Sequence, residues 1–546
     1  MPWYHKTTIY QIYPRSFYDS NGDGMGDLNG IIQKLDYIHH LGFETIWTSP
    51  FFASPQADLG YDISDYTSIA PEYGTMDDVS YLIEEVHRRG MRIVFDLVMN
   101  HTSVEHAWFK ESRSSRHNPK ADWYIWKDPS PSPFRRRSRG EVPNNWQSMT
   151  GGSGWHYAAE RGQYFWSTFL PFQPDLNYHN PEVKRAMLDM VRFWLERGVD
   201  GFRLDIFNYI YKDQQFRNNP FSFKLFPADE SSAAFFQQSK YTTNQPETFK
   251  FAREFRSVCD EFGERLSIGE VYGDRKIIRE FLGIERNDGL TLVFDFGMLN
   301  FQFTSDHFRN LIQRMEQAYP PPFMPVYVFS YHDRRRSIHR LAGDTRKAKL
   351  LHMFQLTVRG VPCMYYGEEI GMTNVRLPFA NAYDPIPHKF KSLPRLIFDA
   401  LDITINRDEV RTPMQWDSTK NAGFSSAEKT WLPVHENYHV INVETEAREE
   451  FSLLNRVRTL LAVRQSESAL QEGSLRVIEN LPENILGFAR KMDGVKISVL
   501  LNFDGRQKNF QSSKGDLIFA LTPGSQKIDG MITLDGYGGL ILKHAD

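Results

Sequence analysis

Cysteine is nearly absent from this 546-residue sequence: Cys259 and Cys363 are too few for a disulfide framework and lack the paired Cys or His spacing of a zinc site. Both read as buried thiols. A charge excess of one sign is lacking too, since 64 Lys plus Arg stand against 68 Asp plus Glu and leave a net charge of -4. That balance offers no footprint for nucleic acid or an anionic membrane, and an uncharged small substrate is expected. No apolar run approaches the ~18 residues of a membrane span, and MPWYHKTTIYQIYPRSF does not have the build of a secretory signal. A cytoplasmic protein, a monomer or small homo-oligomer without membrane partners, is the expectation. What is present is 41% hydrophobic and 14% aromatic residues, enough for a large core.

Short apolar and β-branched runs alternate with longer segments of helical period, the pattern of βα units around a parallel sheet. Eight strand candidates begin at Thr8, Thr45, Arg92, Gly201, Leu266, Leu290, Pro325 and Val361. Between them lie amphipathic helices such as LNGIIQKLDYIHHLG from Leu28, MDDVSYLIEEVHRRG from Met76 and PEVKRAMLDMVRFWLERG from Pro181. Eight such repeats predict an α/β fold, a (β/α)8 TIM barrel, over 1–103 and 173–466. No Gly-rich phosphate fingerprint follows any strand, which argues against an open doubly wound sheet, and no organic cofactor is expected. Residues 104–172, rich in Trp, Pro, Ser, Gly and Arg, read as an inserted loop-rich subdomain after the third strand, and 371–445 as a long excursion after the eighth. Residues 467–546, with short strands and the Met492–Asp493–Gly494 turn, read as a C-terminal all-β sandwich.

Catalytic groups of such barrels project from the C-terminal strand ends. Here those ends carry Asp96, Asn100 and His101; Arg203 and Asp205; Glu270; and His332 and Asp333. Burying so many ionisable groups beside an apolar barrel costs several kcal/mol per isolated ion unless they pair or act. Asp96 reads as a tie for the loop after the third strand. Three acids from three strands, with no Ser, Cys or phosphate-loop constellation, leave carboxylate chemistry as the simplest option, and glycoside cleavage needs that kit. Glu270, after an apolar LSIG run, is expected to have a raised pKa for acid work. Asp205, two residues after Arg203, is expected to be held ionised by that cation.

DLVMNHTS (96–103), GFRLDIFN (201–208), IGEVYGD (268–274), FSYHD (329–333) and QPDLN (173–177), with YQIYPRSFYDSNGDGMGDLNGI, GYDISDY and RTPMQW, resemble the α-amylase family of glycoside hydrolases, family 13, and within it the α-glucosidase and oligo-1,6-glucosidase group. The resemblance spans most of the first 420 residues. It implies Asp205 as nucleophile, Glu270 as general acid/base and Asp333 as the second carboxylate that binds the sugar ring. It implies Asp62, His101, Arg203 and His332 as the grip on the non-reducing-end glucose, joined by Arg407 or, four residues on, Arg411. Tyr61 and Phe165 are candidates for stacking on the sugar, Phe165 equally for an ordinary core aromatic. Asp19, Asn21, Asp23 and Asp27 present oxygens at alternating positions, like the start of an EF-hand loop without its closing Glu. The resemblance implies a structural calcium ion there, with the Met25 carbonyl as a ligand; an ion-free Asx-rich turn is the alternative.

Three features depart from the group. Ile206 follows the nucleophile position where the group's α-1,6 enzymes carry Val, so the resemblance points to α-1,6 or non-maltose linkages, with plain barrel packing the alternative. Arg334, Arg335, Arg336 and Arg340 replace the usual residues after His332–Asp333; a sugar phosphate is one partner for them, and a solvated, partly carboxylate-paired loop is the other reading. FRRRSR (134–139) reads as an exposed charge run. The expected activity is a retaining exo-acting α-glucosidase on short α-glucosides of maltose or isomaltose type or sucrose. The alternatives are a sugar isomerase or transglycosylase, whose Arg-Asp-rich segment FDFGMLNFQF does not resemble, or a hydrolase of a phosphorylated disaccharide. A binding protein like the amino-acid transporter heavy chains is disfavoured, because those pair a membrane span with lost catalytic residues, whereas all three acids are present here.

Overall fold

The computed structural model describes residues 1–131, 141–225, 233–401, 403–511 and 515–544, so the FRRRSR run lies outside the described residues. Eight parallel strands close a barrel in chain order: β1 (Ile9–Ile12), β2 (Thr45–Thr48), β3 (Arg92–Val98), β4 (Gly201–Asp205), β5 (Leu266–Glu270), β6 (Leu292–Phe294), β7 (Val326–Val328) and β8 (Val361–Tyr365), which pairs back onto β1. Each lies inside one of the eight apolar runs. The register sets the chemistry: Asp96 pairs with Arg203 and Val98 with Asp205 between β3 and β4, while Ile268 pairs with Arg203 between β4 and β5. Since side chains alternate along a strand, Arg203 and Asp205 share one face of β4, with Asp96 and Glu270 beside them.

The helices follow their sequence signals with one exception. Pro181–Glu196 starts after Asn180, whose side chain accepts the Glu182 N–H, and buries Val183, Met187, Val191, Trp194 and Leu195 at helical spacing. Met76–Arg88 is opened by a capping box between Thr75 and Asp78. The segment from Leu28 is not one helix but two, Leu28–Gln33 and Leu35–Leu41. At Lys34 the backbone leaves helical geometry, and the ammonium lies 4.2 Å from the Tyr18 ring centroid and 4.3 Å from that of Trp416. Cation–π contact holds the break where periodicity alone suggested continuity.

Between β3 and Pro181, Trp126–Lys127, Trp155–Ala158 and Gln163–Trp166 form a small antiparallel sheet over its own core of Ile125, Trp146, Trp155, Tyr164 and Trp166. Beyond the helix Leu453–Ser466, the strands Ser474–Val477, Ile485–Met492, Val495–Asn502, Asp516–Ala520 and Gly539–His544 form one antiparallel sheet and Lys508–Gln511, Gln526–Ile528 and Met531–Leu534 a second. Ile485, Leu500, Ile532, Leu534, Leu540 and Leu542 pack together as a separate buried cluster. Asp493 and Gly494 have φ of 47° and 80°, as a tight hairpin turn requires. Cys259 and Cys363 are free and buried. Among the described residues no helix is long and apolar enough to cross a membrane.

Candidate active site

The strand register delivers three carboxylates to one cation. Arg203, fully buried at the end of β4, donates from Nη1 to both Asp96 oxygens (2.8 and 2.9 Å) and to Asp205 Oδ1 (2.9 Å), and from Nη2 to Glu270 Oε2. Asp96 is fixed further by the Trp47 indole N–H and the Tyr61 hydroxyl, both at 3.2 Å. It therefore anchors the guanidinium inside the barrel instead of tying down the following loop. Glu270 accepts from the Tyr272 hydroxyl at 2.9 Å and from the Ile206 N–H at 3.3 Å.

Three buried acids share one guanidinium. Burial pushes Asp96 up to about 6 against the pull of Arg203. Burial also raises Asp205 well above the ordinary carboxylate range; Arg203 opposes the shift, and the nearby Glu270 and Asp96 carboxylates reinforce it. Arg203 does bond to Asp205 as expected, and it is shared with Asp96 and Glu270.

On the opposite wall the balance reverses. Asp333 receives an Arg411 Nη2 hydrogen bond and lies 3.7 Å from Arg407 Nη1 and 3.5 Å from His332 Nε2. Burial alone would raise its pKa, but the His332, Arg407 and Arg411 fields overcome that and hold it well below the carboxylate range. Burial keeps the His332 pKa far below its ordinary value, so the two guanidinium groups carry the effect. His332 is itself held by Gln11 on Nδ1 (2.7 Å) and the Tyr61 hydroxyl on Nε2 (2.6 Å).

These groups line a cavity of about 260 Å³ at the C-terminal end of the barrel. Asp205, Glu270, Asp333, Tyr61, His101, Ile206 and Arg407 reach it. Arg203 and His332 stand behind its wall, bonded to residues that line it. His101 donates from Nε2 to the Tyr61 carbonyl at 3.1 Å and is kept neutral by burial. Arg407, not Arg411, reaches the cavity: its Nη2 donates to Asp58 at 2.6 Å and Asp384 at 2.9 Å, whereas Arg411 is wholly buried behind Asp333.

Two positions expected in the pocket lie elsewhere. Asp62 is buried, accepts from the Ser54 hydroxyl and the Ala57 and Asp58 amides, and so fixes the loop that presents Asp58; Asp58, bonded to Gln173 and Arg407, is the acid on the wall. Phe165 packs in the small sheet against Phe109 and Trp126, and Phe169, four residues on, lines the cavity beside His101. Ile206 lines the cavity with φ 38° and ψ 43°, a left-handed conformation that is strained for a β-branched residue. Sequence reasoning passed over Tyr209, Tyr272 and Tyr331, aromatic residues just beyond strand ends.

The arginine run does not form one basic patch. Arg336 is buried, donates to the Tyr366 and Val410 carbonyls and stacks on Tyr365 and Tyr366. Arg335 pairs with Asp399, and Arg340 donates to the Phe329 and Arg335 carbonyls, leaving Arg334 as the member on the cavity wall. The solvated-loop reading fails at Arg336, because its carbonyl partners lie inside the fold.

At the Asp19–Asp27 loop the side-chain oxygens mostly serve the chain itself. Asp19 accepts from the Asn21, Gly22 and Gly24 amides and the Ser425 hydroxyl, Asp27 from Ser20 and Gly30, Asn21 from the Asp23 amide and Asp23 from the Met25 amide. Gly24, at φ 96°, has no room for a Cβ, which would sit 2.2 Å from the Lys429 carbonyl oxygen. Among the described residues no three His, Cys, Asp or Glu side chains converge as metal ligands.

The α-amylase catalytic-domain family matches residues 11–473. A probable α-glucosidase of Rhizobium meliloti is 39% identical over 515 residues, covering 92% of this chain and 89% of that protein. A trehalose-6-phosphate hydrolase of Bacillus subtilis is 35% identical over 557 residues, covering 98% and 94%. The crystal structure of an α-glucosyl transfer enzyme superposes with a TM-score of 0.88 at 36% identity, covering all of both chains. With the closed barrel and its carboxylate-lined cavity, these matches establish that the chain belongs to the α-amylase family of glycoside hydrolases, family 13.

Proposed function

We propose that the chain is a retaining, exo-acting α-glucosidase that removes the terminal α-linked glucose from short α-glucosides. The observation that carries this is the pairing of Asp205 and Glu270 on the two terminal nitrogens of one guanidinium. Such sharing supports the short carboxyl spacing of a double displacement, ~5–5.5 Å, over the ~6.5–9.5 Å of an inverting enzyme. Asp205 attacks the anomeric carbon as the glycosidic C–O bond breaks, and Glu270 gives its proton to the leaving oxygen. Glu270 then takes a proton from water, whose oxygen attacks the same carbon, releases α-glucose and frees Asp205. Asp333, Asp58, His101 and Arg407 bind the ring hydroxyls, and Tyr61 and Phe169 offer it aromatic faces.

Maltose, isomaltose, sucrose, trehalose and trehalose 6-phosphate, followed by NMR, test the reading: glucose should appear first as the α anomer from at least one unphosphorylated sugar. First appearance of β-glucose would refute retention. Consumption without matching free glucose would favour the second reading, transfer of the same glucosyl group to another acceptor, which the likeness to the α-glucosyl transfer enzyme supports. Activity confined to the phosphorylated sugar, as named for the Bacillus relative, would have to be carried by Arg334. Ile206 beside the scissile bond favours α-1,6 or other non-maltose linkages within this reading. A calcium ion at the Asp19–Asp27 loop belongs to the proposal as well. The oxygen-only donor set supports it, and the internal hydrogen bonds that occupy Asp19 and Asp27 oppose it.

A further inference from the structure

The catalytic cavity has two chemically different walls. The one built from strand ends is ionic, as described. The other is built from loops, and its side chains are Met149, Phe235, Ile386, Phe390, Ile403 and Ile405. None of these carries a charge or a side-chain hydrogen-bonding group other than a thioether, and the Met149 sulfur already accepts from the Tyr209 hydroxyl at 3.3 Å.

The polar groups interspersed on this wall are engaged. The Thr150 hydroxyl receives the Lys389 ammonium and bonds to the Ser148 hydroxyl and the Phe169 carbonyl, and the Thr404 hydroxyl accepts the Arg335 N–H at 3.1 Å. The Thr150–Lys389 bond ties the insertion after β3 to the excursion after β8, so both loops are fixed in relation to one cavity. Phe235 is placed by a left-handed backbone (φ 50°) with its ring over Gly151, where an added Cβ would meet ring carbons at 3.4 and 3.5 Å. Phe223 and Leu396, elsewhere in the chain, are 91% and 76% exposed.

We infer that this wall is an aglycone site for an alkyl or aryl group, so that the preferred substrates are α-glucosides of apolar alcohols or phenols in preference to disaccharides. The inference rests on the glucosidase reading for the ionic wall. A second sugar placed here would lose water from hydroxyls that find few free partners, whereas an alkyl chain or ring buries apolar area against six apolar side chains. A sugar phosphate would find Arg334 and Arg407 as the cations among the described cavity-lining residues, and Arg407 is already bonded to Asp58 and Asp384.

The test uses methyl, butyl and hexyl α-D-glucoside, whose leaving alcohols hardly differ in acidity, beside maltose. The inference predicts that kcat/KM rises along the alkyl series, hexyl exceeding methyl by roughly tenfold or more, and that hexyl exceeds maltose. In Phe235→Ala the hexyl-to-methyl ratio should fall severalfold. Calorimetric binding of hexyl and methyl α-glucoside to Glu270→Gln reads the same wall without turnover, and hexyl should again bind roughly tenfold tighter. Equal rates and equal binding along the series, or a maltose preference over hexyl, would overturn the inference. Failure of every glucoside to release glucose while hexyl binds tighter than methyl would instead sink the glucosidase reading and leave the apolar site standing.

Discussion

The two ionic faces of the cavity are built from the same residue types and behave oppositely. Around Arg203, three carboxylates share one guanidinium, and burial raises the pKa of Asp205. Around Asp333, Arg407 and Arg411 fix the carboxylate as an anion. The first face carries the groups proposed to move a proton and form a bond, and the second is fixed in charge and suited to the proposed grip on the sugar. What separates them is the ratio of carboxylates to guanidinium groups, not the identity of either.

The largest effect is expected at Asp205. Asp205→Ala should lower kcat by roughly 10⁴-fold or more with the fold intact by circular dichroism; substantial residual turnover would sink the nucleophile assignment. Glu270→Gln should cost roughly 10²–10⁴-fold on alkyl glucosides. In kcat/KM, which reads the first step, it should cost far less on an activated aryl glucoside such as the 2,4-dinitrophenyl compound, whose leaving group needs no proton, while kcat stays low because the second step still lacks its base. An equal loss on both would place the proton elsewhere in the cluster.

Arg411→Met sharpens the other face. It leaves Asp333 with a weaker counter-charge, and loss of one partner of a buried pair costs about 3–5 kcal/mol. Because the native pKa of Asp333 is depressed, its contribution to stability is present above the unfolded value, ~3.9, and is lost only as pH falls through the lower native value. In Arg411→Met that loss should begin at higher pH, shifting acid denaturation upward; an unchanged acid midpoint would argue against the arginine's hold. The smallest effect concerns the Asp19–Asp27 loop. Added calcium should raise the melting temperature by a few degrees and a chelator reverse it, and identical melts would favour the ion-free turn.

The barrel could be read from the sequence because each strand lies in an apolar run; Asp205 and Glu270 are the last residues of β4 and β5, and Asp333 follows the end of β7 by five residues. The inner grip could not be read as reliably. Asp58 and Asp62 are four residues apart in one loop, and which faces the cavity depends on Asp62 capturing the Ala57 and Asp58 amides, a fact of loop geometry without periodicity. Phe165 and Phe169 differ in the same way: the first pairs in a strand opposite Trp126, and the second follows the strand's end. Arg334 to Arg336 are alike in sequence and take three different environments, because the backbone turn after β7 sends each a different way. The apolar wall comes from segments without repeating pattern, so only their folded position reveals it.

In the proposed mechanism Asp205 forms the bond to glucose and Asp333 does not. Reaction with 5-fluoro-α-D-glucosyl fluoride, which slows breakdown of a glycosyl-enzyme, followed by peptide mass spectrometry, tests it directly. One adduct, on the peptide carrying Asp205, is expected; an adduct on the Asp333 peptide would overturn the assignment.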